Sequence, residues 1–153
     1  MATTQEWIVQ GTAIDLLTTE LNSKVTGNVV VGSGVNNVQA TSNLNGYTRG
    51  RFEFVIASGH TISKAGAINV WLLTSRDGGT TYERGSSSYR PNRPPDFTLY
   101  PGTESGAQCL TADAPLPPGY IKACVELANL GSSAALNATG NTLKVNAFTP
   151  QQV

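Results

Sequence analysis

Val70-Trp71-Leu72-Leu73-Thr74-Ser75-Arg76-Asp77-Gly78-Gly79-Thr80-Thr81-Tyr82-Glu83 is an apolar run that breaks into a turn, and its reading decides the fold class. In an extended strand Ile68, Val70 and Leu72 share one face, while Trp71 and Leu73 occupy the other. Since both faces are apolar, the strand must be covered on both sides, by a second sheet, a loop or a partner subunit. The run stops at Ser75 and gives way to turn chemistry. The Asp77 carboxylate is placed to accept backbone N–H bonds, and Gly78 or Gly79 supplies the positive φ that a Cβ would penalise. Tyr82 then packs back on the hairpin. A buried strand entering a turn of this kind predicts an antiparallel β domain.

The flanking segments extend the pattern. Upstream, between Tyr47 and Ala57, Phe52, Phe54 and Ile56 alternate with Arg51, Glu53 and Val55, a half-buried strand. Downstream, Pro91, Pro94, Pro95 and Pro101 exclude regular central-strand pairing over most of Ser86 to Pro101, so this stretch is a long, stiff surface excursion. Beyond Pro115, Pro117, Pro118 and Gly119, a strand from Tyr120 to Ala128 places Ile121, Ala123, Val125 and Leu127 on one face. A last strand, Thr142 to Phe148, turns Leu143, Val145 and Ala147 inward. Near the start, Ala13, Ile14, Leu16, Leu17 and Leu21 fit helical spacing with Thr12 as a cap. The β-branched Thr18 and Thr19, and the glycines that punctuate Val25 to Gly34, favour strand and turn instead.

Composition agrees. A chain of 153 residues suits one domain, able to bury about 70% of its unfolded surface around a single core. Charged residues make up 13% and the formal net charge is zero, so neither a nucleic-acid footprint nor a polybasic membrane surface is indicated. Polarity comes from Thr, Ser and Asn, which compete locally with helix, and 16 Gly and 8 Pro supply turns. The expectation is all-β: a single-domain β-sandwich or jelly roll of about eight antiparallel strands, residues 12–153, preceded by an N-terminal arm, residues 1–11. The opening Met-Ala-Thr-Thr-Gln-Glu has neither the basic nor the apolar part of a signal peptide, and no stretch reaches the roughly 18 apolar residues of a membrane span. Synthesis in the cytoplasm is therefore expected, with Cys109 and Cys124 as reduced, buried thiols and Asn137-Ala138-Thr139 a coincidental sequon.

Chemistry is sparse. His60 is the only histidine and follows Gly59 in an expected exposed loop, too little for a nucleophile-base pair. One His and two distant Cys do not make a zinc set, and Gly32-Ser33-Gly34 lacks the Lys-Ser/Thr ending of a phosphate loop, so no metal and no cofactor are expected. Asp77 and Glu83 are the nearest carboxylates for a glycosidase, but they read as a turn residue and an exposed hairpin residue. Arg76, Arg84, Arg90 and Arg93 are interleaved with Tyr82, Tyr89 and Tyr100. That pairing suits a protein interface, because guanidinium binds carboxylate bidentately and tyrosine buries area at small entropy cost. An ordinary solvated loop and a sugar or nucleic-acid surface are the alternatives, and Asp77, Glu83 and Asp96 weigh against nucleic acid.

These residues carry two resemblances. Ser75, Asp77, Gly79, Thr81 and Tyr82 resemble the Asp-box hairpin of sialidases and other β-propellers, where it lies away from the active site; one copy implies a structural turn. Over most of its length the chain also resembles small β-sandwich virion proteins of tailed bacteriophages. The resemblance is carried by Thr18-Thr19-Glu20-Leu21-Asn22-Ser23, Gly34-Val35-Asn36-Asn37, Arg51-Phe52-Glu53-Phe54, the Leu72 to Glu83 hairpin, Arg93-Pro94-Pro95-Asp96, Pro117-Pro118-Gly119-Tyr120-Ile121-Lys122 and Asn141-Thr142-Leu143. It implies a non-enzymatic capsid decoration or cement protein located in the virion, with the major capsid protein as partner, a homo-oligomer on the capsid, and no direct nucleic-acid or membrane contact. Under that implication Trp7, Ile8 and Val9 of the arm and Tyr89, Arg90, Arg93 and Tyr100 of the excursion are the interface candidates. A carbohydrate-binding module or tail-fibre component is the alternative, and the exposure of Trp71 discriminates between them.

Overall fold

The computed structural model describes residues 5–9, 13–32, 36–37, 47–83, 85 and 88–152, with the backbone alone for 5–9, 36–37 and 149–152. The strands are β1 (Gln5–Val9), β2 (Ile14–Leu17), β3 (Val29–Val31), β4 (Asn36–Asn37), β5 (Arg49–Ile56), β6 (Ala67–Ser75), β7 (Phe97–Leu99), β8 (Gln108–Pro115), β9 (Tyr120–Ala128) and β10 (Thr142–Gln152). They form two antiparallel sheets, β1-β10-β5-β8 with β2 also on β10, and β3-β9-β6-β7 with β4 also on β9. Because β5 occupies one edge of β10, β1 and β2 must share the other; likewise β3 and β4 share the edge of β9 that β6 leaves free. The ten segments therefore fill eight strand positions, as expected from the sequence.

The pairing is nested. The first position pairs with the last (β2 with β10), the second with the seventh (β3 with β9), the third with the sixth (β5 with β8) and the fourth with the fifth (β6 with β7). A chain paired this way is one long hairpin rolled into two sheets, the jelly-roll form of the sandwich.

Alternation makes the core. Phe52, Phe54 and Ile56 of β5 and Leu143, Val145 and Ala147 of β10 face Ile68, Val70 and Leu72 of β6 and Ile121, Ala123, Val125 and Leu127 of β9, all fully or almost fully buried. Each large side chain so buried stabilises the fold by about 1.5–3 kcal/mol. Phe52 in the first sheet meets Phe97 in the second, with ring centroids 4.6 Å apart and planes tilted by 36°.

Four elements differ from the sequence expectation. β8 was not foreseen, because its inward positions are Leu110, Ala112 and Ala114, too little apolar volume to signal a strand. The proline-rich excursion contains β7, three residues long and placed at a sheet edge where flanking prolines are tolerated. Ile14–Leu17 is a strand, as favoured, but a 3-10 turn at Thr19–Leu21 comes after it, closed by the Leu21 and Asn22 N–H groups donating to the Thr18 and Thr19 carbonyls. Residues 5–9 of the expected arm form β1, paired with β10 from Gln5↔Gln152 to Val9↔Phe148, which satisfies their backbone groups in a ladder.

Candidate functional site

The outer face of the second sheet carries the most elaborate side-chain arrangement. Register sets Thr98, Asn69, Glu126 and Val29 in one outward row and Trp71, Cys124 and Val31 in the next. Trp71, Leu73 and Cys124 are buried and pack with Val29, Val31 and Tyr82 into a second apolar cluster. Its cover is the chain's own segment after β6. Pro91 is buried, Trp71 Nε1 donates to the Arg93 carbonyl at 2.9 Å, and the Asp96 N–H donates to the Val70 carbonyl at 2.8 Å. Of the three covers the sequence left open, a loop is present.

Arg93 holds this cover down. Its guanidinium donates to both Glu83 oxygens, to Asp96 Oδ1 at 2.9 Å and to the Leu72 carbonyl at 3.2 Å, while Asp96 Oδ2 accepts the Leu72 N–H at 2.6 Å. The hydrogen bond to Glu83 is the main force raising the Arg93 pKa further above its ordinary value. A second clamp lies beside it: Arg90 Nη1 donates to Glu126 Oε1 and Oε2 at 2.9 and 2.8 Å, Asn69 Nδ2 donates to the same carboxylate, and Thr98 Oγ1 donates to Asn69 Oδ1. Between the clamps is an open groove of about 440 Å³ lined by Asn69, Arg90, Asn92 and Arg93 among others. Replacing Arg93 with alanine is expected to lower unfolding free energy by about 2 kcal/mol, because Glu83 and Asp96 lose a shared, half-buried partner. Denaturant melts read the loss. A red shift of tryptophan emission reports the uncovering of Trp71, and Arg93→Lys recovers only part, having no fork to bridge two carboxylates.

The turn before this cover has the chemistry read from its sequence. Asp77 Oδ1 accepts the Thr80 and Thr81 N–H groups at 3.1 and 2.7 Å and the Ser75 hydroxyl at 2.7 Å; Ser75 Oγ accepts the Gly79 N–H at 2.9 Å. Both glycines have positive φ, 73° at Gly78 and 92° at Gly79. No returning strand forms among the described residues, however: after the Glu83 N–H donates to the Thr74 carbonyl, the chain leaves as the cover. Glu83 is not the exposed residue expected, since Arg93 draws it into the clamp. Tyr82 packs on the cluster with Lys122 Nζ 4.4 Å from its ring centroid, and its hydroxyl is buried without a hydrogen-bond partner among the described residues.

The Thr81 N–H and the Ser75 hydroxyl, in that order, hold the Asp77 carboxyl well below the usual carboxylate range. A carboxyl depressed on folding stabilises the fold above its unfolded value, about pH 4, and loses that contribution as pH falls towards the depressed one. Asp77→Asn is therefore expected to melt below wild type near neutral pH, with the gap in Tm narrowing on acidification below about pH 4. Thermal melts across pH check this; a gap that stays constant contradicts the role given to the charge.

The other sequence candidates are dispersed. Tyr89 and Tyr100 are 51% and 73% exposed, at either end of the excursion, whereas Arg90 and Arg93 are engaged within the chain. Trp7, Ile8 and Val9 belong to β1 in the opposite sheet, and their side chains lie outside the described residues, as does Arg84. Glu126, Asn69 and Thr98 were missed, being scattered outward positions that only the strand register brings into a row. His60 corrects the sequence reading: it is buried, 5% exposed, its Nδ1 accepting the Ile62 N–H at 3.3 Å and its Nε2 lying 3.0 Å from the Gly106 carbonyl. That makes it a loop tie. Cys124 is buried as expected and desolvation pushes its thiol up to about 11, but Cys109 is exposed on the outer face of β8 because alternation turns Leu110 inward instead. Both thiols are free.

Comparison with protein-family models, with curated proteins and with solved structures finds no match for this chain in any of the three.

Proposed function

We propose that the chain is a non-enzymatic structural virion protein, a decoration or cement protein that binds the assembled lattice of major capsid proteins. The observation that carries the reading is the clamped excursion. Two ion-paired anchors fix a proline-rich segment to the sheet, so Tyr89 and Tyr100 project from a surface already ordered, and little side-chain or loop entropy remains to be lost on docking. The double-sheet jelly roll, an architecture used by viral capsid domains as well as lectins, is compatible with this role without implying it. In this reading the protein is made in the host cytoplasm and acts as repeated copies on the capsid. Binding to the assembled lattice alone stabilises it by mass action, and repetition over a symmetric shell multiplies a modest contact.

The direct assay incubates the purified chain with heads of the phage that encodes it. Removing residues 1–10 deletes β1 but leaves both core faces, so the variant is expected to fold with reduced occupancy on heads; unchanged occupancy sinks the role given to that segment. Tyr100→Ala tests the excursion in the same way.

Carbohydrate binding is the second reading, favoured by the 73% exposure of Tyr100. Trp71 cannot serve it, since the indole is 1% exposed under the cover. Saturable retention of the chain on immobilised host-surface glycan, lost in Tyr100→Ala, would favour that reading over cementing.

A further inference from the structure

A two-sheet sandwich has four free edges, and this chain treats one of them differently. The β1/β2 edge is built from two short segments, Gln5–Val9 and Ile14–Leu17, and the β3/β4 edge from Val29–Val31 and Asn36–Asn37. The β7 edge is three residues long with Pro94 and Pro95 before it and Pro101 after it. Short, broken or proline-flanked edges are the usual devices that prevent strand addition. β8 is neither short nor broken, and proline flanks it on one side only, at Pro115, Pro117 and Pro118. It is eight residues long, contains no lysine or arginine, has no proline before its last residue, and keeps an unshifted register against β5 from Gln108↔Ile56 to Pro115↔Arg49. No strand pairs with its other edge among the described residues. Its outward residues Cys109, Thr111 and Asp113 are all exposed.

We propose that β8 is a dimerisation strand, pairing antiparallel with β8 of a second copy across a two-fold axis so that the two β5–β8 sheets become continuous. Self-pairing suits the charge pattern. Asp113 is the only charge on the strand, and Arg51 binds it in bidentate fashion at 2.9 and 3.1 Å. An axis centred on Thr111 sets Thr111 against its own copy and Asp113 against Cys109, so no like charges meet; inward, Leu110 faces Ala112. A Thr–Thr pair across antiparallel strands is favourable, and a two-fold axis satisfies both exposed edges at once. With a formal net charge of zero, two copies carry no net repulsion to overcome. This inference concerns the chain in solution and does not depend on the virion reading.

The test is sedimentation equilibrium of the full chain over a range of concentrations, with two variants. Wild type is expected to form a dimer. Thr111→Lys, exposed and set beside Glu53 in the β5 register, should keep the melting curve of wild type while weakening dimerisation about tenfold or more, because it places like charges face to face at the axis. In a Cys109→Ser background, Thr111→Cys should be captured as a covalent dimer by a short bis-maleimide, a trap that needs no weakened interface. A wild type that stays monomeric, a Thr111→Lys variant that dimerises as wild type does, or a trap that yields no covalent dimer overturns the proposal.

Discussion

Trp71→Ala is expected to lower the unfolding free energy by about 3–5 kcal/mol, the range for emptying a fully buried indole site. Among the described residues the indole is the largest fully buried side chain outside the central core, 1% exposed between β6 and the excursion. Its removal leaves a cavity against Leu73 and Cys124 and deprives the Arg93 carbonyl of its donor. The consequence is local as well as global. With the cover loosened, Arg90 and Arg93 become accessible, so clostripain, which unlike trypsin cuts Arg–Pro bonds, should cut the variant at Arg90-Pro91 or Arg93-Pro94 while the sandwich stays folded. Trp71→Phe separates the two causes: it keeps most of the packing and loses the hydrogen bond, for a cost of about 1 kcal/mol. Urea melts of the three proteins, with limited clostripain digestion in parallel, measure this. Equal stability of Trp71→Ala and wild type would mean that the excursion is not held by the outer cluster.

Phe52→Ala is the second large effect, again about 3–5 kcal/mol, but with a different signature. Phe52 is fully buried between the sheets and stacks on Phe97 of β7, so its loss opens the central core and frees the β7 edge. Truncation here should lower Tm and bring forward global unfolding, with no selective clostripain cut in the excursion before the melt. Phe52→Leu, which refills most of the volume, should recover more than half of the loss. The contrast between the two alanine variants tests the division of the apolar residues into a core between the sheets and a separate cluster outside them.

Where apolar residues alternate, the fold was legible. The faces of β5, β6, β9 and the inward part of β10 come directly from Phe52-x-Phe54-x-Ile56 and its counterparts, and Asp77-Gly78-Gly79 announced its own turn. Three things were not readable, each for a physical reason. β8 turns only Leu110 and two alanines inward, so its period is carried by small side chains. His60 lies in a loop, and burial of a loop histidine depends on which carbonyl and amide happen to reach it, here those of Gly106 and Ile62. The excursion's arginines looked free to bind a partner because Glu83 and Asp96 are close in sequence but Glu126 is 36 residues away from Arg90. Register, not local pattern, puts Glu126 under Arg90. Of the residues expected on that surface, Tyr89 and Tyr100 are exposed, while Arg90 and Arg93 are ion-paired within the chain.

If the proposed cement role is right, the chain has a parent phage, and the measurement closest to that claim is co-sedimentation of the purified chain with assembled heads of that phage and, separately, with unassembled major capsid subunits. The cement reading predicts saturable binding to heads at a fixed ratio to capsid subunits, no binding to free subunits, and a head-disruption temperature that rises with occupancy. A chain that remains in the supernatant with intact heads, or that binds them without raising their disruption temperature, contradicts it.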